Sequence, residues 1–101
     1  MLCYNVTLKI LPQIEQQWVK WMKEEHIPEV MATDLFIEYK FFKLLEQDER
    51  DGITYVVQYF SPSNDLYRRY IEEFAPKLRE KAFSKWQERF IAFRTVMETV
   101  R

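Results

Sequence analysis

The chain has 101 residues, with 15 basic and 16 acidic side chains and a net charge of −1. This balance, without a long run of one sign, argues against electrostatic binding to nucleic acid or to a membrane. The single cysteine, Cys3, excludes an internal disulfide and a multi-cysteine metal site. No apolar run is long enough for a signal peptide or a transmembrane span. We therefore expect one cytoplasmic domain that occupies residues 1–101.

The first half of the sequence predicts a strand followed by a helix. Residues 2–11 alternate between apolar and polar side chains, which indicates a half-buried strand. Residues 13–25 place their apolar side chains, including Trp18 and Trp21, on one arc, as a helix that lies on a sheet does. Because Ile27 precedes a proline, we expect this helix to break near His26 and a short second turn to follow.

The second half repeats this order after a hairpin. The polar residues 46–52 contain the only glycine and predict the hairpin connection. Residues 61–64, Ser-Pro-Ser-Asn, indicate a helix start with proline at the first helical position. Pro76 is expected to interrupt that helix and to leave a shorter helical piece that runs to Trp86. The remaining strands are predicted over residues 35–45, 53–60 and 90–100.

The resulting order, β-α-β-β-α-β, is that of the α+β ferredoxin-like fold with a four-stranded antiparallel sheet. An internal echo supports this interpretation. Residues 24–28 read Glu-Glu-His-Ile-Pro, and residues 72–76 read Glu-Glu-Phe-Ala-Pro. Both halves are thus predicted to interrupt a helix with a proline at the same distance from a pair of glutamates.

The predicted sheet has helices on one face only, and its second face keeps large apolar side chains. Phe36 and Phe42 fall on one face of the second strand, while Tyr39 and Phe41 fall on the other. An apolar patch of this kind usually marks an interface. We expect a C2 homodimer that packs two open sheet faces together, with a barrel-like interior in which a small molecule could bind.

His26 is the only histidine and the sharpest candidate for catalysis. Imidazole titrates near pH 6.5, so that His26 could act as a general acid or base. The alternative is structural: His26 packs at a helix end and bonds a carbonyl there. The internal echo favours the alternative, because the counterpart of His26 is Phe74. The adjacent carboxylates lack the spacing of a metal motif, and no metal is predicted.

Three further side chains are candidates for ligand binding. Asn5 and Gln58 are predicted on the open face of adjacent strands, where polar groups in an apolar cavity would suit a small molecule. They could equally be hydrogen-bonded at the dimer interface. The planar guanidinium of Arg94 suits a carboxylate or phosphate, or else an ion pair with a glutamate such as Glu38 of the neighbouring strand or subunit.

The chain resembles the bacterial domain-of-unknown-function family 4286, which is similar to the dimeric α+β barrel superfamily. The resemblance covers nearly the whole chain and implies a fold and a homodimer, but no activity and no cofactor. Asp34 stands where the family pattern has glycine, and aspartate tolerates left-handed backbone geometry moderately well. The matching segments are residues 4–7, 18–22, 26–30, 32–33, 58–60, 75–76, 78–79 and 93–98.

A shorter similarity, His-x-Pro after a tryptophan-bearing helix, looks like the ethyl-tert-butyl-ether-degradation barrels and related stress-responsive barrels. Three hypotheses follow. The first is a homodimer that binds a small molecule between its two sheets without catalysis. The second is a cofactor-independent monooxygenase or isomerase in which His26 is the acid or base and Asn5, Gln58 and Arg94 position the substrate. The third is an assembly partner whose exposed helices contact another protein.

Overall fold

The computed structural model describes residues 1–101 as a four-stranded antiparallel sheet with helices on one face. This is the predicted ferredoxin-like order, and the strands lie in the order β2-β3-β1-β4. No helix is both long and apolar enough to cross a membrane. The strands are β1 Leu2–Ile10, β2 Glu38–Lys43, β3 Ile53–Ser61 and β4 Phe90–Glu98, and the helices are α1 Glu15–Trp21, α2 Ile27–Met31, α3 Asn64–Glu73 and α4 Ala75–Trp86.

The hydrophobic core lies between the sheet and the helices. Alternate residues of the two central strands point toward the helices and are buried, from Leu2 to Ile10 in β1 and from Ile53 to Ser61 in β3. As predicted, Trp18 and Trp21 of α1 are buried against this side of the sheet. The period of two along each strand therefore assigns every strand residue to one face or the other.

The chain does not break at His26, contrary to the sequence-based expectation. Residues Met22–His26 form a π-helix that leads directly into α2, and Ile27 keeps helical dihedral angles of φ −60° and ψ −45°. The Ile27 N–H donates to the carbonyl of Met22, five residues back. We attribute the continuity of the helix to this wide turn, which makes room for the ring of Pro28 at the start of α2. The hydrogen bond from Ile27 to Met22 spans five residues and is typical of a π-helix rather than an α-helix.

The second helical pair begins at Asn64, two residues later than predicted. Ser63 is the N-cap, and its hydroxyl accepts a hydrogen bond from the Leu66 N–H at 3.2 Å. Pro62 thus precedes the helix and is not its first residue, because the side chain able to cap lies after the proline. At 12 residues α4 is longer than the 10-residue α3, not shorter as expected.

The internal echo lies at two corresponding helix junctions, but only the second junction interrupts a helix as expected. His26 is the residue before α2 and Phe74 is the residue before α4, and each of these helices has proline at its first or second position. The two junctions differ in the backbone. His26 has φ −69° and ψ −54°, whereas Phe74, between α3 and α4, has φ −120° and ψ −39°, which is less regular but still in the helical region.

Two strands are shorter than predicted. β2 begins at Glu38 because Asp34 adopts φ 63° and the buried Leu35 and Phe36 enter the core before pairing starts. β4 ends at Glu98 rather than residue 100. The left-handed angle at Asp34 fits the expectation that aspartate can replace glycine there.

The only glycine serves close packing rather than a left-handed turn. A Cβ atom on Gly52 would lie 2.8 Å from the Cγ of Lys9 and 3.2 Å from the carbonyl oxygen of Ile10. In the hairpin connection the positive φ belongs to Glu46, at 59°.

The open face of the sheet carries side chains in rows that cross all four strands. We call the middle one the central polar row. On either side lie rows with large apolar members, and Phe42, Phe93 and Met97 are exposed. The central polar row consists of Lys40, Gln58, Asn5 and Thr95. The neighbouring rows are Glu38, Phe60, Cys3 and Met97 on one side and Phe42, Val56, Thr7 and Phe93 on the other.

Candidate functional site

A cavity of about 50 Å³ lies between the helix-facing side of the sheet and the helices, and we call it the helix-side cavity. Thirteen of its 16 lining residues are apolar or aromatic, so the lining is mainly apolar. The other three are His26, Arg79 and Arg94. An apolar cavity with a few convergent polar groups is the usual form of a small-molecule site.

Two residues that line this cavity each carry a buried polar atom without a hydrogen-bond partner. The atoms are the hydroxyl of Tyr59 and the indole N–H of Trp86, in side chains that are only 2% and 3% exposed. They are the only buried side-chain nitrogen or oxygen atoms in the chain without a partner. Leaving such a group unpaired costs about 1–3 kcal/mol. Both unpartnered atoms thus belong to residues of the same cavity.

A cluster of tyrosines adjoins Tyr59. The ring of Tyr4 lies 6.1 Å from that of Tyr59 and 5.9 Å from that of Tyr70. The Tyr4 hydroxyl accepts a hydrogen bond from Nη2 of Arg79 at 3.1 Å. Burial raises the pKa of Tyr59 and of Tyr70 well above the usual value for tyrosine, so both hydroxyls stay protonated at neutral pH and can donate.

His26 reaches the cavity from the end of the π-helix. Its ring stacks on Trp21 with centroids 4.9 Å apart, and Trp21 in turn meets Trp86 edge-on at 5.8 Å. Burial is the main cause that lowers the pKa of His26 to about 4; Glu29 opposes this shift, and the charge of Arg94 adds to it. At neutral pH the imidazole is uncharged, with one nitrogen that donates and one that accepts.

The structural alternative for His26 is wrong in one respect. His26 packs at a helix junction, but it does not bond a carbonyl there: the side-chain bonds to backbone carbonyls come from other residues. It differs from its counterpart Phe74, which packs against the core but does not line the cavity. Both ring nitrogens therefore remain available to a ligand or to water.

Arg94 lies on the helix-facing side of β4, opposite Val6 in the neighbouring strand. Within one chain it cannot pair with Glu38, because β2 and β4 are opposite edges of the sheet and Glu38 points to the open face. Arg79 of α4 lines the same cavity. Neither arginine belongs to any of the five ion pairs of the chain.

Asn5 and Gln58 lie on the open face, as predicted, and are hydrogen-bonded to each other. Gln58 Nε2 donates to Asn5 Oδ1 at 3.3 Å, and Asn5 Nδ2 donates to the Thr7 hydroxyl at 3.3 Å. The sheet therefore separates this pair from His26 and Arg94. The four candidates do not share one cavity, and the combined substrate-positioning set of the enzyme hypothesis is not formed within a chain.

Tyr59, Trp86 and Arg79 line the cavity but were not predicted as site residues from the sequence. Arg79 and Trp86 are seven residues apart, which places them on the same side of α4, and Tyr59 follows the buried alternation of β3. From these patterns the three side chains could have been predicted to lie between α4 and the sheet. No pattern could have shown that two of them lack a partner, since that depends on the packed structure.

Two other possible sites are less suitable. No three histidine, cysteine, aspartate or glutamate side chains converge in a geometry that could hold a metal ion. A larger surface depression of about 470 Å³ lies between the start of α3, the start of β1 and the end of β4. Neither of the unpartnered buried polar atoms faces it. The helix-side cavity is thus the candidate functional site.

The fold and the position of the cavity define the class of protein. A four-stranded antiparallel sheet in β-α-β-β-α-β order, with both helical pairs on one face, is a ferredoxin-like α+β domain of the kind found in the dimeric α+β barrels. Residues 1–100 match the family described as "Domain of unknown function (DUF4286)". The chain belongs to that family, and no curated protein matches it.

Solved structures share this fold at low sequence identity. An ethyl tert-butyl ether degradation (EthD) family protein from Bacillus halodurans is 12% identical, with a TM-score of 0.69 over 99% of this chain and 100% of that one. SnoaB, a cofactor-independent oxygenase from Streptomyces nogalater, is 10% identical, with a TM-score of 0.64 over 99% and 94%. A dimeric ferredoxin-like protein from an uncultured marine organism is 16% identical, with a TM-score of 0.58 over the whole of both chains.

Proposed function

We propose that this protein is a homodimeric small-molecule-binding protein whose ligand occupies the helix-side cavity. The observation that carries the proposal is the pair of unpartnered buried donors, the Tyr59 hydroxyl and the Trp86 indole N–H. This location replaces the expected site between two sheets, since the unpaired polar groups lie on the opposite side of the sheet. A ligand with acceptor oxygens would satisfy both donors.

The cavity is large enough to admit water, which a ligand would displace. A cavity of about 50 Å³ has room for one or more water molecules, which need only about 10–15 Å³ each. A ligand gains affinity when it displaces water and reproduces its hydrogen bonds. The aromatic walls formed by Trp21, Trp86 and Tyr70 supply apolar contact on the remaining sides.

The proposal is tested by a thermal-shift screen of small metabolites, with each positive compound followed by NMR of the tryptophan indole N–H groups. We expect a true ligand to move the Trp86 indole signal most. The variant Trp86→Phe removes the donor but keeps a ring, and it should weaken ligand binding about tenfold, since a lost hydrogen bond costs about 1–1.5 kcal/mol. Tyr55→Phe, whose hydroxyl lies outside the cavity, is the control. Unchanged affinity in Trp86→Phe would contradict the proposed site.

The homodimer forms, in this proposal, through the open sheet face. The exposed apolar side chains Phe42, Phe93 and Met97 support it, as does the solved relative that is described as a dimeric ferredoxin-like protein. In a pair packed through these faces, each helix-side cavity remains within one chain. Ligand binding then does not require residues of the partner.

A second candidate function is a cofactor-independent monooxygenase or isomerase, and the position of His26 in the cavity favours it. The neutral imidazole could accept a proton from a bound substrate, and the oxygenase SnoaB has the same fold. For this function we expect His26→Gln to retain ligand binding while turnover of the ligand falls at least about a hundredfold. If wild type leaves every ligand of the screen unchanged under air, the protein is a binding protein only.

A further inference from the structure

We propose that the ligand of the helix-side cavity is a small carboxylate, held through its charged group by Arg79 and Arg94 where the cavity meets the surface. The inference rests on the proposed function and names the chemical class of its ligand. Both side chains line the cavity and are exposed, so that their guanidinium groups can meet a ligand at the entrance. The unpartnered Tyr59 hydroxyl and Trp86 N–H lie deeper, in buried side chains.

Donors dominate the polar atoms that line the cavity. Arginine and indole nitrogens can only donate, and the tyrosine hydroxyls are protonated at neutral pH. The one nitrogen acceptor is a single ring nitrogen of His26. A ligand that matches this lining must therefore bring several acceptor oxygens, and a carboxylate brings two in the planar arrangement that a guanidinium group matches.

The charge around the cavity also favours a carboxylate ligand. The lining contains two arginines and no carboxylate. The nearby acid that acts on His26 is Glu29, and its Oε1 already accepts from Lys81 Nζ at 2.7 Å. Two cations without a carboxylate partner favour an anionic ligand over a neutral one of the same shape, although water screens part of this attraction at exposed side chains.

The size of the cavity restricts the carbon part of the ligand. An apolar cavity of about 150 Å³ is known to hold benzene, and the helix-side cavity has only about 50 Å³. A short chain of a few carbon atoms is therefore the suitable apolar part. An oxygen substituent on that chain would give Tyr59 and Trp86 the acceptor that they lack.

The test compares lactate with lactamide, two probes of nearly equal shape that differ in charge. Each is titrated into the full-length protein labelled with ¹⁵N, and the tryptophan indole signals are followed, with Trp86→Phe used for their assignment. We expect lactate to bind at least about tenfold more tightly than lactamide. Arg79→Gln and Arg94→Gln should each lower lactate affinity about tenfold and leave lactamide affinity unchanged, as loss of a charge-assisted bond predicts.

Arg68→Gln is the matched control, since Arg68 is an exposed arginine of α3 that does not line the cavity. It should leave both affinities unchanged. Equal binding of the two probes in wild type, with no effect of the arginine variants, overturns the carboxylate inference and leaves the proposed binding function intact. If neither these probes nor any compound of the metabolite screen moves the Trp86 signal, both proposals fail.

Discussion

Two tyrosines on the same strand differ in hydrogen bonding: one hydroxyl has a partner and the other has none. The contribution of each hydroxyl to stability can therefore be measured by a substitution that removes one oxygen atom. The Tyr55 hydroxyl donates to Glu15 Oε2 at 2.7 Å, whereas the Tyr59 hydroxyl has no partner. Without ligand, Tyr59→Phe should raise the free energy of unfolding by about 1 kcal/mol, because it removes an unpaired buried group. Tyr55→Phe should lower it by about 1–2 kcal/mol, because it removes a bond to a carboxylate.

Urea denaturation of both variants, followed by circular dichroism, measures this difference. The two substitutions remove the same atom from the same residue type, so each serves as the control for the other. A loss of stability in Tyr59→Phe as large as that in Tyr55→Phe would mean that the Tyr59 hydroxyl is bonded in solution and that the cavity holds a well-ordered partner such as water.

His26 makes stability depend on pH in a defined direction. Its pKa in the folded protein is about 4, below the usual value near 6.5, so the unfolded chain binds the proton more readily. The folded state therefore loses stability as pH falls from about 6.5 to about 4, by no more than about 1.4 kcal/mol per pH unit. Well above pH 6.5 the imidazole is neutral in both states and contributes no pH dependence.

The variant His26→Phe, which copies the residue at the matching position of the internal repeat, should remove this part of the pH dependence. Chemical denaturation at pH 7, 6, 5 and 4.5 gives the two profiles. Glu15 also has a lowered pKa, which its bond from Tyr55 and its contact with Lys43 explain, and its effect remains in both proteins. Parallel profiles for wild type and His26→Phe would show that His26 is solvated.

At the scale of single elements, the end of α4 carries a strained residue beside the cavity. Gln87 has φ 53° and ψ −129°, a region that glycine occupies readily and other residues rarely. Such a residue costs on the order of 1–3 kcal/mol, and it directly follows Trp86. Gln87→Gly should therefore raise the free energy of unfolding by about 1 kcal/mol, whereas Gln87→Ala should not.

Thermal and urea unfolding of the two variants test whether the Gln87 backbone is strained. Their ligand affinity tests whether that strain affects binding. If the turn at Gln87 serves only to connect α4 with β4, both variants should bind ligand as wild type does. Equal stability of wild type and Gln87→Gly would mean that the backbone relaxes to a less strained conformation.

The elements were more predictable from sequence than their junctions. Alternating side chains gave the strands and the buried face of β1, because a period of two leaves a clear pattern. The continuity of the helix through His26 was missed, because a π-helix has no composition of its own and the proline favoured a break. The start of α3 was misplaced by two residues, since two serines flank Pro62 and only the structure shows which one caps.

The candidate site was less predictable than the fold. His26 and Arg94 were named from their chemistry, but the faces on which they lie follow from strand register and helix packing rather than from residue type. Tyr59 and Trp86 resemble ordinary core aromatics in the sequence. Only the packed structure leaves their polar atoms without partners, and that is what distinguishes them.

At the scale of the whole molecule, the proposed homodimer rests on the open sheet face. Phe93 of β4 is 62% exposed there, and Phe83 of α4 is 56% exposed on the helical side. Phe93→Lys should dissociate the dimer into monomers, because it places a charge in an apolar interface. Phe83→Lys, a matched substitution of an equally exposed ring, should leave it intact.

Light scattering during gel filtration at micromolar concentration distinguishes the two states. Circular dichroism of the Phe93→Lys protein checks that the monomer is folded. A wild-type protein that elutes as a monomer, or a Phe83→Lys variant that dissociates as readily as Phe93→Lys, would contradict the choice of face.

The central polar row would also decide which stacking of two sheets is permitted. When two copies meet with their central rows in register, the amides of Asn5 and Gln58 can bond across the interface or to each other. A slide by one row moves them against Phe93 and Val56 and buries polar groups without partners, at about 1–3 kcal/mol for each. In the proposed homodimer the rows would thus disfavour a slide by one row, so that two open faces pair in one register only.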